Sequence, residues 1–310
     1  MNLIKSLIVL FLAIVFFSCE KEKVKQSITS EWNSTTEFPG IGRQNSVAFT
    51  IDQKGYMGLG NGDTTAVYND FWEFDPGSKV WTKLADFPGT VRSAVTGFSI
   101  GKKGYVVNGL CNCNDFWEYD PLSKPQWNRR ADFPVNGLYY TTAFVINGKA
   151  YVGTGIKNGA LQKGFWEYDP QFDKWTAKSD FPGTPVDVAT GFSIAGKGYV
   201  ATGNQAAGES NALWQYDPGA DTWTRKANYP YTASGAVGFS INDKGYVGLG
   251  GAGNEFWEYD PMSDAWSRVS LFNGGNRTAA KAFVINDTAY VGLGTSGWAV
   301  YPKSIWTFSK

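Results

Sequence analysis

The sequence predicts an all-β fold: a six-bladed β-propeller of four-stranded antiparallel blades, the last of them closed by the N-terminal strand. Three observations lead there. The chain repeats one unit six times, at a period of about 50 residues. Each unit breaks into short alternating runs separated by turn signals, the pattern of half-buried strands. Finally, the repeat is out of phase with the chain, so that one strand is missing at the C-terminal end and one is spare at the other.

The repeat is carried by three strings. FWEYDP or a close variant begins at Phe71, Phe116, Phe165, Leu213 and Phe256, with a degenerate IWTF at Ile305. A KGYV-like string sets a tyrosine at Tyr56, Tyr105, Tyr151, Tyr199, Tyr246 and Tyr290. An FPG-like string begins at Phe38, Phe87, Phe133, Phe181, Tyr229 and Phe272. In the second copy strand a reads Ser93 to Ile100, strand b Gly104 to Asn108, strand c Phe116 to Tyr119, and strand d starts at Trp127. Two residues always separate a from b: Asp52-Gln53, Gly101-Lys102, Asn147-Gly148, Ala195-Gly196, Asn242-Asp243 and Asn286-Asp287. That length predicts tight hairpin turns, and Asn-Gly favours type I′. Strand c ends in Asp-Pro, a turn opener. Four-stranded units that cannot bury a face alone are stable when packed radially.

Tryptophan placement supports the ring. Six stand in strand c (Trp72, Trp117, Trp166, Trp214, Trp257, Trp306) and six open strand d (Trp32, Trp81, Trp127, Trp175, Trp223, Trp266). Large aromatics at fixed stations fill the wedges between blades, each burying roughly 150–250 Å². The chain stops at Lys310, just after strand c of the sixth copy, while Trp32 stands seven residues before Pro39, as Trp81 does before Pro88. The N-terminal strand is therefore expected to pair into the last blade and remove two open edges.

Composition narrows function. The 310 residues carry 28 basic and 28 acidic side chains, no histidine and three cysteines. Zero formal charge argues against a nucleic-acid partner, which needs a concentrated basic face. Without histidine there is no Ser-His-Asp or Cys-His catalytic apparatus, no histidine-ligated zinc or copper and no histidine-held haem. No cofactor and no metal site are expected, and the chain reads as a monomer.

The first residues, MNLIKSLIVLFLAIVFFSC, place Lys5 before an apolar run from Leu7 to Phe17, the right length for a secretory signal core. Ser18 before Cys19 resembles a bacterial lipoprotein signal, although Phe16 and Phe17 depart from its usual leucine and small residue. The resemblance implies cleavage ahead of Cys19 and lipid on that cysteine. An ordinary secreted protein cut nearby, or a short anchor, is the competing reading. The expected organisation is a signal over 1–18, lipidated Cys19 and a charged tether over 19–29, and the propeller over 30–310, held at the cell envelope as an outer-membrane lipoprotein.

The Gly-rich end of strand b, the Tyr-Asp of strand c and the tryptophan a few residues later resemble the kelch repeat, and the likeness covers nearly all of the mature chain. The glycines are mostly Gly-x-Gly, as in Gly58-Leu59-Gly60 and Gly248-Leu249-Gly250. The uniform copies are similar to kelch lipoproteins of Bacteroidetes-type bacteria. Kelch propellers include protein-binding modules, a copper oxidase and bacterial N-acetylneuraminate epimerases. The oxidase's metal site needs histidines, which this chain lacks.

In such a propeller the a–b and c–d connections share one face, and the b–c and d–a connections the other. The a–b turns are uniform, whereas the b–c loops vary from CNCND (Cys111 to Asp115) to TSGWAVYPKS (Thr295 to Ser304). Variable loops point to that face as the binding face. Trp298 is the one tryptophan outside the repeat stations, with Tyr301 nearby, and suits stacking on a sugar or anchoring a partner protein; alternatively it plugs its own loop. Arg43, Arg92 and Arg277 share a station five residues into the FPG-like string, where the other copies have Leu138, Val186 and Ser234. Three guanidinium groups on neighbouring blades suit a carboxylate or other anion, although the kelch resemblance also implies structural arginines here. Tyr139, Tyr140 and Asp187 face them across the mouth. Cys111 and Cys113 read as a local disulfide or two thiols.

Asp63, Asp70, Asp187, Glu209 and Glu255 are non-repeat acids available to a paired-carboxylate site. The leading expectation is a lipid-anchored module binding a glycan or protein without chemistry. The first alternative is an epimerase or mutarotase for an acidic sugar, similar to the N-acetylneuraminate epimerases. The second is a structural envelope component.

Overall fold

The computed structural model describes residues 31–310 apart from Thr64 and Thr65, and leaves the side chain of Ala252 undescribed. The segments expected to form the signal, the lipidated Cys19 and the tether all lie outside the described residues. Within them the chain is all-β, with six four-stranded antiparallel sheets.

The chain enters through β1 (Asn33–Glu37) and then builds blade one from β2 (Val47–Ile51), β3 (Lys54–Gly58), β4 (Phe71–Asp75) and β5 (Val80–Lys83). Blade two is β6 (Thr96–Ile100), β7 (Lys103–Val107), β8 (Phe116–Tyr119) and β9 (Trp127–Arg130). Blade three is β10 (Thr142–Ile146) and β11 (Lys149–Gly153), a small hairpin β12 (Ile156–Lys157) and β13 (Ala160–Leu161), then β14 (Phe165–Asp169) and β15 (Lys174–Lys178). Blade four has the same plan: β16 (Thr190–Ile194), β17 (Lys197–Ala201), hairpin β18 (Asn204–Gln205) and β19 (Gly208–Glu209), then β20 (Leu213–Asp217) and β21 (Thr222–Lys226). Blade five is β22 (Val237–Ile241), β23 (Lys244–Gly248), β24 (Glu255–Asp260) and β25 (Ala265–Leu271). Blade six is β26 (Lys281–Ile285), β27 (Thr288–Gly292) and β28 (Ser304–Ser309), completed by β1.

The closure expected from the repeat phase is present. β1 pairs antiparallel with β28, Asn33 opposite Thr307 and Glu37 opposite Ser304. Trp32 just ahead of it is buried, donates its indole N–H to Ser270 Oγ at 3.0 Å and lies 4.7 Å from the Phe256 ring of blade five. The two-residue a–b turns also hold. In blades three to six both central residues have positive φ, even Ala195 at 47°, as type I′ geometry requires.

The core is six wedges between blades. At each seam the strand-d tryptophan reaches back to the residue opening strand c of the preceding blade: Trp127 to Phe71 at 5.0 Å, Trp175 to Phe116 at 5.0 Å, Trp223 to Phe165 at 5.1 Å. The FPG aromatic closes the wedge edge-on, as Phe133 does against Trp166 and Trp175. The strand-c tryptophans are half-buried rather than core, because they cap the wedges beneath the d–a connections. The repeated acids are structural: Glu118 receives the Tyr105 hydroxyl at 2.8 Å, with Lys103 at 2.8 Å.

Neighbouring blades are joined by a repeated backbone bond. At the end of strand b the x and second Gly of Gly-x-Gly, or their counterparts, both take positive φ, as at Leu59 (55°) and Gly60 (88°). This left-handed pair, costly for a side chain and easy for glycine, turns the glycine N–H towards the next blade. Gly60, Gly109, Gly155, Gly203, Gly250 and Gly294 donate to the carbonyls of Arg92, Leu138, Val186, Ala233, Arg277 and Arg43. The ring closes on itself.

Replacing Trp32 with alanine removes the aromatic that locks β1 against blade five. Urea unfolding of Trp32→Ala should show a loss of about 3–5 kcal/mol, the range for an aromatic truncated in a core. A loss below about 1 kcal/mol would mean that the closing strand contributes little.

Candidate functional site

The b–c and d–a connections meet on one face, and their inner ends surround the propeller axis. The carbonyl ring defines the station of the three arginines. It corrects one assignment: the blade-five counterpart is Ala233, not Ser234, because the segment after Tyr229 is one residue shorter than in the other copies.

The arginines do not converge on a mouth. Each is buried inside its own blade: Arg43 and Arg92 at 0% exposure, Arg277 at 2%. Arg92 holds both oxygens of Asp115 at 2.7 and 2.8 Å and bonds the carbonyls of Thr90 and Asn108. Arg43 pairs likewise with Asp70 and bonds Leu59 O at 3.2 Å, under the Tyr68 ring at 4.3 Å. Arg277 has no acid and instead bonds Ser304 through Oγ at 2.7 Å and O at 3.0 Å; burial pushes its guanidinium down to about 10. In all three, Nη1 reaches the carbonyl of the left-handed residue before the ring glycine. The shared anion site expected from the sequence is therefore replaced by three internal struts.

Tyr139, Tyr140 and Asp187 do come together, on blades three and four, with Tyr140 turned to the axis. The two tyrosine rings lie 5.5 Å apart. Tyr140, with φ of 54°, lines a small axial cavity of about 60 Å³ together with Asn45 of blade one and Lys281 of blade six. Burial, then the nearby Asp187, raise the Tyr140 hydroxyl above its ordinary value. Asp187 is 4% exposed, with Oδ1 buried and unpartnered. Burial holds its carboxyl above the usual carboxylate range, against the pull of the Asn204 amide.

Below them the inner strands enclose an axial chamber of about 170 Å³, with Thr96, Thr142 and Thr190 among its lining residues. Lys281 is the one charged residue of that lining. Burial pushes its ammonium down to about 8. The sequence reading missed it, yet the signal was there: Lys281 occupies a station that is Val47, Thr96, Thr142, Thr190 and Val237 elsewhere.

Trp298 and Tyr301 sit elsewhere, on the blade-six rim. Trp298 is 99% exposed, so it plugs nothing. Its turn is built: Ser296 N–H bonds Val300 O at 2.9 Å and Thr295 Oγ1 bonds Gly297 O at 2.8 Å. The Tyr301 carbonyl lies where a Cβ on Gly42 of blade one would be, so only glycine fits there. Beyond that seam runs a groove of about 470 Å³, lined by Ile41, Val67, Tyr68, Asn69, Lys83 and Lys303 among others. Val300 and Ile41 add exposed apolar surface, 53% and 61%.

Cys111 and Cys113 form a disulfide. Asp115 lies close enough to make a three-ligand group with them, but its oxygens are held by Arg92 and Trp117 and both sulfurs are bonded to each other. Of the other acids, Glu255 is paired with Arg268, Glu209 with Ser234, and Asp63 is exposed.

No protein-family model matches the chain, and no curated protein matches it in sequence. Among solved structures, one described as "Structure of YjhT" is similar with a TM-score of 0.71 at 18% identity, covering 89% of this chain and 99% of that one. The likeness and the blade arrangement agree on the fold, a six-bladed β-propeller.

Two outcomes follow from this geometry. Arg92→Met should cost about 3–5 kcal/mol in chemical unfolding, because it strands the Asp115 carboxylate; an unchanged midpoint would free Arg92 for a ligand. Lys281 keeps its proton more readily in the unfolded chain, near pKa 10.4, so wild-type stability rises as pH climbs from about 8 towards about 10.4. Lys281→Met should thus melt higher than wild type at pH 7, with the gap closing across that window. A constant gap would mean that charge burial is not the cause.

Proposed function

We propose that the protein is a lipid-anchored, extracytoplasmic binding module that takes a carbohydrate on the b–c/d–a loop face, at the junction of blades six and one. The observation that carries this reading is Trp298: a fully exposed indole on a hydrogen-bonded turn. The aromatic face suits the apolar side of a sugar ring. The adjoining groove offers Tyr68, Asn69, Lys83, Asp86 and Lys303 for hydroxyl groups, the mixture of apolar wall and a few polar groups typical of ligand sites.

A second reading is an epimerase or mutarotase for an acidic sugar, and one observation favours it. Buried Asp187, with its raised carboxyl and orphan oxygen beside Tyr140, has the perturbed titration of a general acid or base. The buried arginines lend it no anion clamp, which leaves Lys281 as the cation nearest the axis.

A glycan array probed with soluble protein lacking residues 1–25 separates these readings. Binding to a defined glycan that weakens about tenfold or more in Trp298→Ala, with an unchanged melting temperature, supports the first. Binding that is indifferent to Trp298→Ala, or no binding at all, defeats it. Proton NMR of anomer interconversion tests the second: acceleration of an acidic sugar that disappears in Asp187→Asn supports it, and a rate equal to the uncatalysed one removes it.

A further inference from the structure

Six copies of one unit serve as controls for one another. Two residues before the strand-c tryptophan, four blades place an oxygen that accepts the indole N–H. Trp72 donates to Asp70 at 2.7 Å, Trp117 to Asp115 at 2.5 Å, Trp257 to Glu255 at 3.2 Å and Trp306 to Ser304 Oγ at 3.2 Å. Blades three and four have Gly164 and Ala212 there and supply no acceptor.

Those two blades respond differently. In blade three the six-membered ring of Trp166 lies over Gly164, so the side chain fills the vacated position itself. Trp214 of blade four does not turn. Its Nε1 stands 2.9 Å from where a Cβ on Gly183 would be, as Trp117 Nε1 stands 2.8 Å from that of Gly89 in a paired blade. The indole thus keeps the paired orientation, yet Nε1 is buried with no hydrogen-bond partner. An orphan buried donor costs about 1–3 kcal/mol, and native structures retain few of them.

Blade five shows what belongs there. Its Glu255 is gripped by Trp257 and by Arg268, which lies opposite Trp257 on β25, at 3.1 Å. Blade four keeps the same arginine: Arg225 lies opposite Trp214 on β21, its guanidinium 5.3 Å from the indole centroid. Two of the three parts of the blade-five clasp are therefore present, Arg225 with its Nη2 on Asn228 Oδ1 at 2.5 Å, and the carboxylate is gone. Val186 stands where blades one, two and six have a large arginine. The vacated volume is a cavity of about 250 Å³ bounded by Phe181, Val186, Gln205, Asn211, Trp214 and Arg225, among others.

We propose that this blade-four cavity is a binding site for a small carboxylate, whose oxygens take the place of the missing side-chain acid, accepting from Trp214 Nε1–H and pairing with Arg225. Glu209 on the same wall, bonded by Ser234 Oγ at 2.7 Å, selects against dianions and for ligands that add an ammonium group, such as a free amino acid. The site is separate from the Trp298 rim and stands or falls without it.

Proton–nitrogen NMR of the indole N–H groups tests this directly, with the Trp214 peak assigned by Trp214→Phe. Titration with acetate and with glycine should shift that peak saturably, glycine binding tighter, while glycinamide, which lacks the carboxylate, leaves it in place. Arg225→Met should weaken glycine binding about tenfold to a hundredfold, the scale of one charged hydrogen bond. Ala212→Glu, which copies blade five, should place the peak at its ligand-bound position without ligand, abolish the titration and raise the melting temperature. Trp298→Ala should leave the titration untouched. A wild-type peak that ignores both acetate and glycine, an equal response to glycinamide, or a titration that survives in Ala212→Glu overturns the proposal.

Discussion

The structure depends on one backbone hydrogen bond made six times: the amide of the glycine just after strand b, the second of Gly-x-Gly in four blades, to the carbonyl of the next blade's arginine station. Nothing in a single blade can make it, since donor and acceptor belong to neighbours, and the last of the six, Gly294 to Arg43, forms only if the ring closes. Each such bond contributes on the order of 1 kcal/mol net. Their role is chiefly geometric. They fix the level at which each d–a segment crosses the end of the preceding strand b, and hence where the b–c loops begin. The backbone conformation that aims the donor is the left-handed pair at residues such as Leu59 and Gly60. Where an arginine is present, its Nη1 takes the carbonyl of the first member of that pair, so side chain and backbone support the same corner.

Much of this was legible in the sequence because it is periodic. The strand strings, the two-residue turns and the phase of Trp32 against Ile305 all repeat, and repetition is what a single chain can reveal without relatives. The arginine station shows the limit. Position alone suggested a cluster, whereas the side chains turn inward to Asp70 and Asp115, which lie 27 and 23 residues further on, across a loop with no period. The pairing does leave a trace in the sequence: the blades with Leu138 and Val186 in place of arginine also have Gly164 and Ala212 in place of the acid. Ser234 was misplaced for a simpler reason, a one-residue deletion that spacing counts cannot see. Trp298 was visible as an outlier, but its exposure depends on a turn made by Ser296 and Val300 that no propensity specifies.

The departures from the repeat are where the chemistry collects. A uniform propeller would have an axis lined by small residues and six equivalent wedges. Here Tyr140 narrows the axis on one side with buried Asp187 near it, Lys281 charges the chamber behind them, and blade four has lost both members of the strut that blades one and two retain. Each change carries an electrostatic signature: Asp187 and Tyr140 held up, Lys281 held down. These are the unmet costs of burial that a scaffold keeps only when something else sets the sequence.

The antiparallel entry of β1 has an orientational consequence. Asn33 pairs with Thr307 and Glu37 with Ser304, so the chain comes into blade six from the side of the c–d turns and runs towards the long loops. A lipid tail upstream of residue 31 would thus leave from the opposite pole to Trp298. Under the proposed anchoring, the uniform turns would lie on the tether's side of the disc and the irregular loops on the far side, a strand length away.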